Sequence, residues 1–484
     1  MSPSTSTHST TKAPTFADLG VRTIVNCYGT YTIITGSRAL KQVAEAMVEA
    51  TNAYVHMDEL MDKIGERLAE LTGAEWGYMP SGCAAALTQI TAACIAGADP
   101  EKMTRLPDTA GLKNEVIMQK GHRNSYDWAI RMTGARMIDV ETMADLRAAI
   151  NERTALIAIT GDLEERSTIP VQAMIDVAKE HGIPTLVDAA AQRPDVPNRY
   201  LEMGADVVLY SGGKCLRGPQ GAGLALGRKD LLKAAFLNGA PHHALGRPMK
   251  AGKEEIMGLL AAVEAWILRR DHEAEWQMWE SYLDEIRQAV EALPSVETGL
   301  VQPGLSNHAP MLSITWDPTV LHVTPEQVHR ELMEGDPPVA MHLTGKGLRV
   351  MPYMMEDGDA AIAARRLSEL LSDRQPPTAA ASEGEPAQVA GSWLVHTDYV
   401  LGSSNHSMVL SQEGEILSGT YRGQFDEVPL SGVVHGDQIE FRVVLGYGIN
   451  RVRYVFTGTV DGEMSGEVSL GEFGTARWRA ERTS

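Results

Sequence analysis

A chain of 484 residues with 44% hydrophobic side chains is long enough for two or three domains with filled cores. Its formal charge of −20, with no Lys/Arg-rich run, argues against nucleic acid or an anionic membrane as the main partner. Cys27, Cys83, Cys94 and Cys215 follow neither CxxC nor metal-ligand spacing, so the expectation is reduced thiols in a cytoplasmic protein, without a metal.

Residues 1–14 read as a flexible N-terminus whose Ser/Thr-rich opening lacks the apolar core of a signal peptide. No stretch approaches the roughly 18 to 20 apolar residues that a membrane span requires. Residues 15–252 read as a large domain. Helices are predicted over Leu40–Asn52, Asp58–Thr72 and Gly82–Ile95, then a short apolar run over Val116–Gln119 and a helix over Asn124–Thr133. A strand Ala155–Thr160, a helix Val171–His181, a strand Thr185–Asp188, a helix end Tyr200–Gly204 and a strand Asp206–Tyr210 follow. Strands alternating with helices imply a largely parallel sheet, whose functional groups gather at the carboxyl ends of the strands.

Residues 253–373 read as a linking helix with a smaller α/β domain. One helical stretch runs from Lys253 to Leu293 with a break before Trp276, leading to Met311–Trp316 (strand), Pro325–Glu334 (helix), Leu348–Met351 (strand) and Gly358–Leu371 (helix). Residues 374–389, rich in Pro, Ala and small polar side chains, have a linker composition. Over residues 390–484 period-two alternation takes over. Related tetrads recur at Leu417-Ser418-Gly419-Thr420, Leu430-Ser431-Gly432-Val433, Phe456-Thr457-Gly458-Thr459 and Met464-Ser465-Gly466-Glu467, with turn signals between them. Six to eight short antiparallel strands of this kind make a small β-barrel or sandwich, read as an accessory domain.

The strongest chemical signal is SGGKCLRGPQGAG, Ser211 to Gly223, directly after a predicted strand. A lysine flanked by small residues at a strand end reaches a cofactor lying over the sheet edge, and a Schiff base needs a lysine whose amine can lose its proton. The alternative is a surface lysine in a glycine loop. Asp188 ends an apolar strand 26 positions earlier, where a carboxylate pairs with the protonated nitrogen of pyridoxal phosphate or simply caps a helix. Ser81-Gly82-Cys83 opens an Ala-rich helix whose free N–H groups form a phosphate cradle. His122, in Lys120-Gly121-His122-Arg123-Asn124-Ser125, either lies against the pyridine ring or is structural, and Ser125 caps the next helix.

Taken in order, these segments resemble the fold type I pyridoxal-phosphate enzymes, and within them the group of selenocysteine synthase and D-glucosaminate-6-phosphate ammonia lyase. The resemblance covers about residues 15 to 373. It also rests on Ile24-Val25-Asn26, Leu71-Thr72-Gly73-Ala74-Glu75, Gly218-Pro219-Gln220 and Gly246-Arg247-Pro248-Met249-Lys250. It implies the aspartate-aminotransferase-like α/β fold, pyridoxal 5'-phosphate as cofactor, Lys214 as the Schiff-base lysine and Asp188 as partner of the pyridine nitrogen. Ser81, Gly82, Cys83 and Ser211 would contact the phosphate, His122 would stack on the ring, and Gln192 would lie near the phenolic oxygen. Arg349 would clamp the substrate carboxylate, unless it is a surface arginine on an edge strand. A homodimer or higher homo-oligomer would complete each phosphate site from the segment around Tyr54 and His56, or from Arg247, which otherwise anchors the next helix.

Two departures bear on the substrate. Selenocysteine synthase carries an additional N-terminal region for tRNA, while here the catalytic pattern begins within about two dozen residues. With the acidic charge, that points to a small-molecule amino acid or amino sugar acid, with no nucleic acid and no membrane. The C-terminal β-domain is outside the family pattern. The resemblance favours a β-eliminating ammonia lyase or dehydratase. A racemase or epimerase, a transaminase or aldolase, and a non-catalytic cofactor-binding protein remain as alternatives.

Overall fold

A computed structural model of the chain describes residues 13–372 and 385–483. The flexible N-terminus and the linker read from the sequence fall mostly outside these residues, at 1–12 and 373–384. Internal contacts divide the chain into two units, Met1–Pro376 and Pro377–Ser484. No helix among the described residues is long and apolar enough to cross a membrane.

The first unit holds the strands β1 (Val25–Cys27), β2 (Trp76–Tyr78), β3 (Glu115–Gln119), β4 (Arg136–Val140), β5 (Thr154–Thr160) and β6 (Thr185–Asp188). β7 (Val207–Ser211), β8 (Gly223–Gly227), β9 (Glu297–Val301), β10 (Met311–Thr315), β11 (Val339–Thr344) and β12 (Gly347–Val350) complete it. Seven of these strands form one sheet in the order β2-β8-β7-β6-β5-β3-β4. β7, β6, β5, β3 and β4 are parallel, and β8 runs antiparallel to both β7 and β2. The mostly parallel character follows from the sequence: Ala155–Ile159 and Leu186–Val187 are almost wholly buried, as strands covered on both faces must be. Each such aliphatic side chain contributes roughly 1.5–3 kcal/mol. The helix Cys83–Ala96 is apolar nearly all round and buried almost throughout, which fixes it in the centre of the unit.

The second sheet of this unit runs β1-β11-β12-β10-β9 and encloses its own core with the helices His272–Val290, Pro325–Glu334 and Asp359–Leu371. The single helical stretch expected from Lys253 to Leu293 is two helices, Lys253–Leu268 and His272–Val290. They part at Arg269–Asp271, where Asp271 caps the second helix by accepting from Ala274 N at 3.0 Å. The helix expected over Asn124–Thr133 shrinks to Asp127–Arg131. Ser125 does not cap it; instead the Asn124 side chain accepts from Tyr126 N at 2.8 Å and turns the chain before the helix starts. The alternation did not reveal β1, β2, β4, β8, β9 or β11, all short or lacking a clear period.

The second unit is a closed antiparallel barrel of β13 (Gly391–Asp398), β14 (Ser403–Glu413), β15 (Ile416–Arg422), β16 (Glu427–His435), β17 (Gln438–Tyr447), β18 (Asn450–Asp461), β19 (Glu463–Ser469) and β20 (Thr475–Thr483). Its lumen is filled by side chains. Phe441 and Phe456 stack at 4.4 Å, Trp478 meets each edge-on at 5.4 Å, and Trp393 and Tyr421 are buried beside them. The recurrent Ser-Gly and Thr-Gly pairs have a steric origin. Gly458 and Gly466 face each other across β18 and β19, where a Cβ would lie 2.0–2.1 Å from the opposing backbone.

Candidate active site

β5, β6 and β7 are neighbours in the parallel sheet, so their carboxyl ends bring three ionisable residues to one edge. Asp162 lies two residues beyond β5, Asp188 is the last residue of β6, and Lys214 lies three beyond β7. The loop carrying the lysine is closed by its own backbone: Gly212 N donates to Ala222 O at 2.9 Å and Gly218 N to Gly212 O at 2.8 Å. Within it Gly213 is pressed so closely on Gln220 that a Cβ would stand 2.7 Å from its Cα.

Lys214, Asp188 and Ser211 line a cavity of about 160 Å³ together with Gly82, Cys83 and Ala84 at the start of the helix Cys83–Ala96. Gly82 precedes this helix at φ 100°, a conformation open to glycine, and no side chain caps the helix start. Its leading N–H groups and the positive end of its dipole therefore face the cavity mouth unneutralised, a ready anion site. Gly223 holds the turn in place, because a Cβ there would sit 2.5 Å from the Gly82 carbonyl carbon. Thr30, Thr32, Tyr126 and Gln220 complete the polar part of the lining.

Asp188 is buried, and its Oδ1 accepts from the Cys83 thiol at 3.3 Å and from Ala190 N at 3.1 Å. Burial raises the carboxyl above its ordinary range, while Lys214 and the two donors act to lower it. The Cys83 thiol is raised well above its ordinary value, by burial first and then by Asp188, so it stays protonated and remains a donor.

Other expected residues are not among those lining this cavity within one chain. His122 is fully buried: its Nδ1 accepts from Thr160 N at 3.3 Å, and its Nε2 is 2.8 Å from the Ser167 hydroxyl. Its ring is committed to that network and does not line the cavity, where Tyr126 stands instead. Burial holds the imidazole down to about 4, so it is neutral near pH 7. Gln192 is buried with its amide on the Tyr200 hydroxyl at 3.0–3.1 Å, rather than over the cavity. Arg349 lies on β12 directly opposite His342 of β11; because Leu348 and Val350 are buried in the core, it emerges on the other face of the sheet. Arg247 and Ser81 do not line the cavity within one chain, and the Arg247 Nε is buried without a hydrogen-bond partner.

Asp162 was not anticipated, although an acid two residues past the apolar run Ala155–Thr160 repeats the logic that singled out Asp188. Its Oδ2 accepts from Ala191 N at 3.1 Å, and its Oδ1 is buried without a partner. Burial, then repulsion from Asp188, raises its carboxyl from the ordinary 3.8 to about 6, with Lys214 acting in the opposite direction. The folded chain thus holds a proton here that the unfolded chain has already released, so stability falls as pH rises from about 4 through 6. Asp162→Asn should therefore stabilise the cofactor-free protein at pH 8 by about 1–2 kcal/mol and by roughly half as much at pH 5. Thermal unfolding of both proteins at the two pH values checks this, and an equal effect at both would remove the strain from Asp162.

Comparison with known proteins identifies the frame around this cavity. Residues 127–298 match the aminotransferase class-V family model. A Streptomyces 5'-C-glycyluridine monooxygenase-decarboxylase is 31% identical over 377 residues, covering 74% of this chain and 92% of that one. The chain belongs to the fold type I pyridoxal-phosphate enzymes. D-Glucosaminate-6-phosphate ammonia lyase of Salmonella typhimurium is 28% identical over 371 residues, covering 73% of this chain and 97% of that one. A solved structure of a D-glucosaminate-6-phosphate ammonia-lyase superposes with a TM-score of 0.66 at 27% identity, covering 74% of this chain and 99% of that one. L-Seryl-tRNA(Sec) selenium transferase of Proteus mirabilis is 27% identical over 279 residues, 51% of this chain and 57% of its own.

As a fold type I enzyme the chain uses pyridoxal 5'-phosphate, and its residues suit that group. An uncapped helix start suits a phosphate dianion, a buried carboxylate with its orientation held by two donors suits a protonated ring nitrogen, and a lysine opens on the space between.

Proposed function

We propose that the chain is an ammonia lyase removing the α-hydrogen and β-hydroxyl of a hydroxy amino acid or amino sugar acid, leaving a keto acid and ammonia. The observation that carries this is the match, over 73% of this chain and 97% of the relative, to an enzyme named for ammonia loss, with a likeness in structure over 74% of this chain. Bound pyridoxal phosphate supplies a sink for the electrons left at the substrate's α-carbon. The chain's residues supply the rest. Lys214 would hold the cofactor, and its free Nζ would take the α-proton and return one to the departing hydroxyl. Asp188 keeps the ring nitrogen protonated, with Cys83 and Ala190 fixing its orientation. Gly82, Cys83 and Ala84, which line the cavity with Ser211, would hold the phosphate. Water lost in elimination is regained when the resulting enamine hydrolyses, so the net change is release of ammonia.

A second reading, oxygen-dependent decarboxylation, is favoured by the 31% identity to the Streptomyces enzyme. One assay separates the readings. The holo-protein is incubated with D- and L-hydroxy amino acids and amino sugar acids, with and without a terminal phosphate. Keto acid, ammonia, inverted isomer and oxygen uptake are followed together. Equal keto acid and ammonia without oxygen uptake are expected. Oxygen consumption, inversion without ammonia, or amino transfer would each overturn the lyase reading.

The same site is proposed to be completed by a second copy. Tyr31 and Ile33, 49% and 82% exposed, flank the lining residues Thr30 and Thr32, and Tyr126, which lines the same cavity, is exposed together with Trp128. An apolar rim beside a polar cavity is the surface that a homodimer buries.

A further inference from the structure

The barrel has two unlike ends. Because consecutive strands pair antiparallel, the turns β13–β14, β15–β16, β17–β18 and β19–β20 all lie at one end. The other turns lie at the opposite end, where the chain also enters: Ala387 N donates to Gly436 O just before β13 begins. At the entry end the tips are acidic, with Glu413, Glu415, Asp437, Asp461 and Glu463.

The far end carries an apolar crown. Val400 and Leu401 are 101% and 93% exposed, and Phe425, Tyr447 and Phe473 are 61–68% exposed, with Ile449 beside them. Every turn at this end contributes. Phe425 and Tyr447 already meet edge to face at 5.4 Å, and Arg451 pairs with Asp426 beneath them. Around the crown the charges balance, with Arg422, Arg451, Arg453 and Arg477 set among Asp398, Asp426, Glu427 and Glu472.

We propose that this crown is a homotypic docking surface, meeting the crown of a second copy of the chain. At a net charge of −20, copies repel over most of their surface, and the acidic barrel end adds to that repulsion. The crown is a place where the signs are mixed and partly paired within one copy, as Arg451 is with Asp426, so two crowns meet without the repulsion carried by the rest of the surface. An anionic membrane fits less well, since acids stand among the tips.

The test uses the full-length holo-protein. Mass is measured by light scattering and sedimentation across micromolar concentrations, for wild type and Leu401→Asp/Phe425→Asp. The wild-type mass is expected to rise with concentration to twice that of the variant, with the cofactor's visible absorbance equal in the two. Val400→Ser/Phe473→Ser is the second variant, and a partial fall in association is expected from it should the first precipitate. Equal masses at all concentrations overturn the proposal. Co-sedimentation with phosphatidylglycerol vesicles that the variants lose, without any change in mass, also overturns it and assigns the crown to a membrane.

Discussion

Lys214→Ala is expected to give a folded protein with no borohydride-trappable cofactor and no measurable turnover. The reasoning starts from the loop. Its path is set by backbone hydrogen bonds from Gly212 and Gly218 and by the close contact of Gly213 with Gln220, none of which uses the lysine side chain. Alanine should therefore leave the loop in place and remove only the amine. The phosphate cradle at the helix Cys83–Ala96 remains, so pyridoxal phosphate should still bind, reversibly, and be lost on dialysis. Wild-type protein treated with borohydride and digested should carry the reduced cofactor on the peptide containing Lys214. Trapping on another lysine, or a variant that keeps its visible absorbance after dialysis, would sink the assignment.

Asp188→Ala should retain the cofactor but turn over at least about two to three orders of magnitude more slowly, the range expected on losing a preorganised electrostatic partner. The residue is buried at a strand end, and its Oδ1 is oriented by Cys83 and Ala190 rather than by solvent. Without its charge the ring nitrogen loses its proton, and the electrons of the α-carbon have a poorer place to go. The loss should appear in kcat, with a large primary isotope effect on the α-deuterated substrate. Near-normal kcat with cofactor bound would remove Asp188 from the site.

The parts of this site legible from sequence are those in which a local pattern dictates direction. Asp188, Ser211 and Lys214 each sit at or just after an apolar strand, and Gly82-Cys83 sits at a helix start. A residue at such a boundary faces the sheet edge whatever the distant chain does. What such local patterns leave open is rotation about the backbone. His122 occupies a short 3-10 turn that swings its ring inward to Thr160 and Ser167. Gln192, in the turn after Asp188, has its amide on the Tyr200 hydroxyl. Arg349 is governed by strand alternation: burying Leu348 and Val350 sends it to the opposite face. Thr30, Thr32 and Tyr126 come from loops without a period, and the antiparallel β8 was hidden because Gly-Leu-Ala-Leu-Gly reads as the tail of the lysine loop. The barrel was easier to foresee, since alternation and regularly spaced turns are sufficient to announce it.

Asp162, Asp188 and Lys214 are carried by neighbouring rungs of one parallel ladder, whose spacing of about 4.8 Å is set by main-chain hydrogen bonding alone. Insertions in the segments between those strands lengthen the crossovers on the sheet faces without changing that spacing. The reach between Lys214 and Asp188, the proposed base and ring partner, is thus insulated from the loops that line the cavity, such as the one bearing Thr30 and Thr32. Descendants of this scaffold can exchange one substrate for another by editing loops while the proton-handling groups stay in register. Relatives sharing the frame yet named for ammonia loss, for oxidative decarboxylation and for selenium transfer are what such insulation allows.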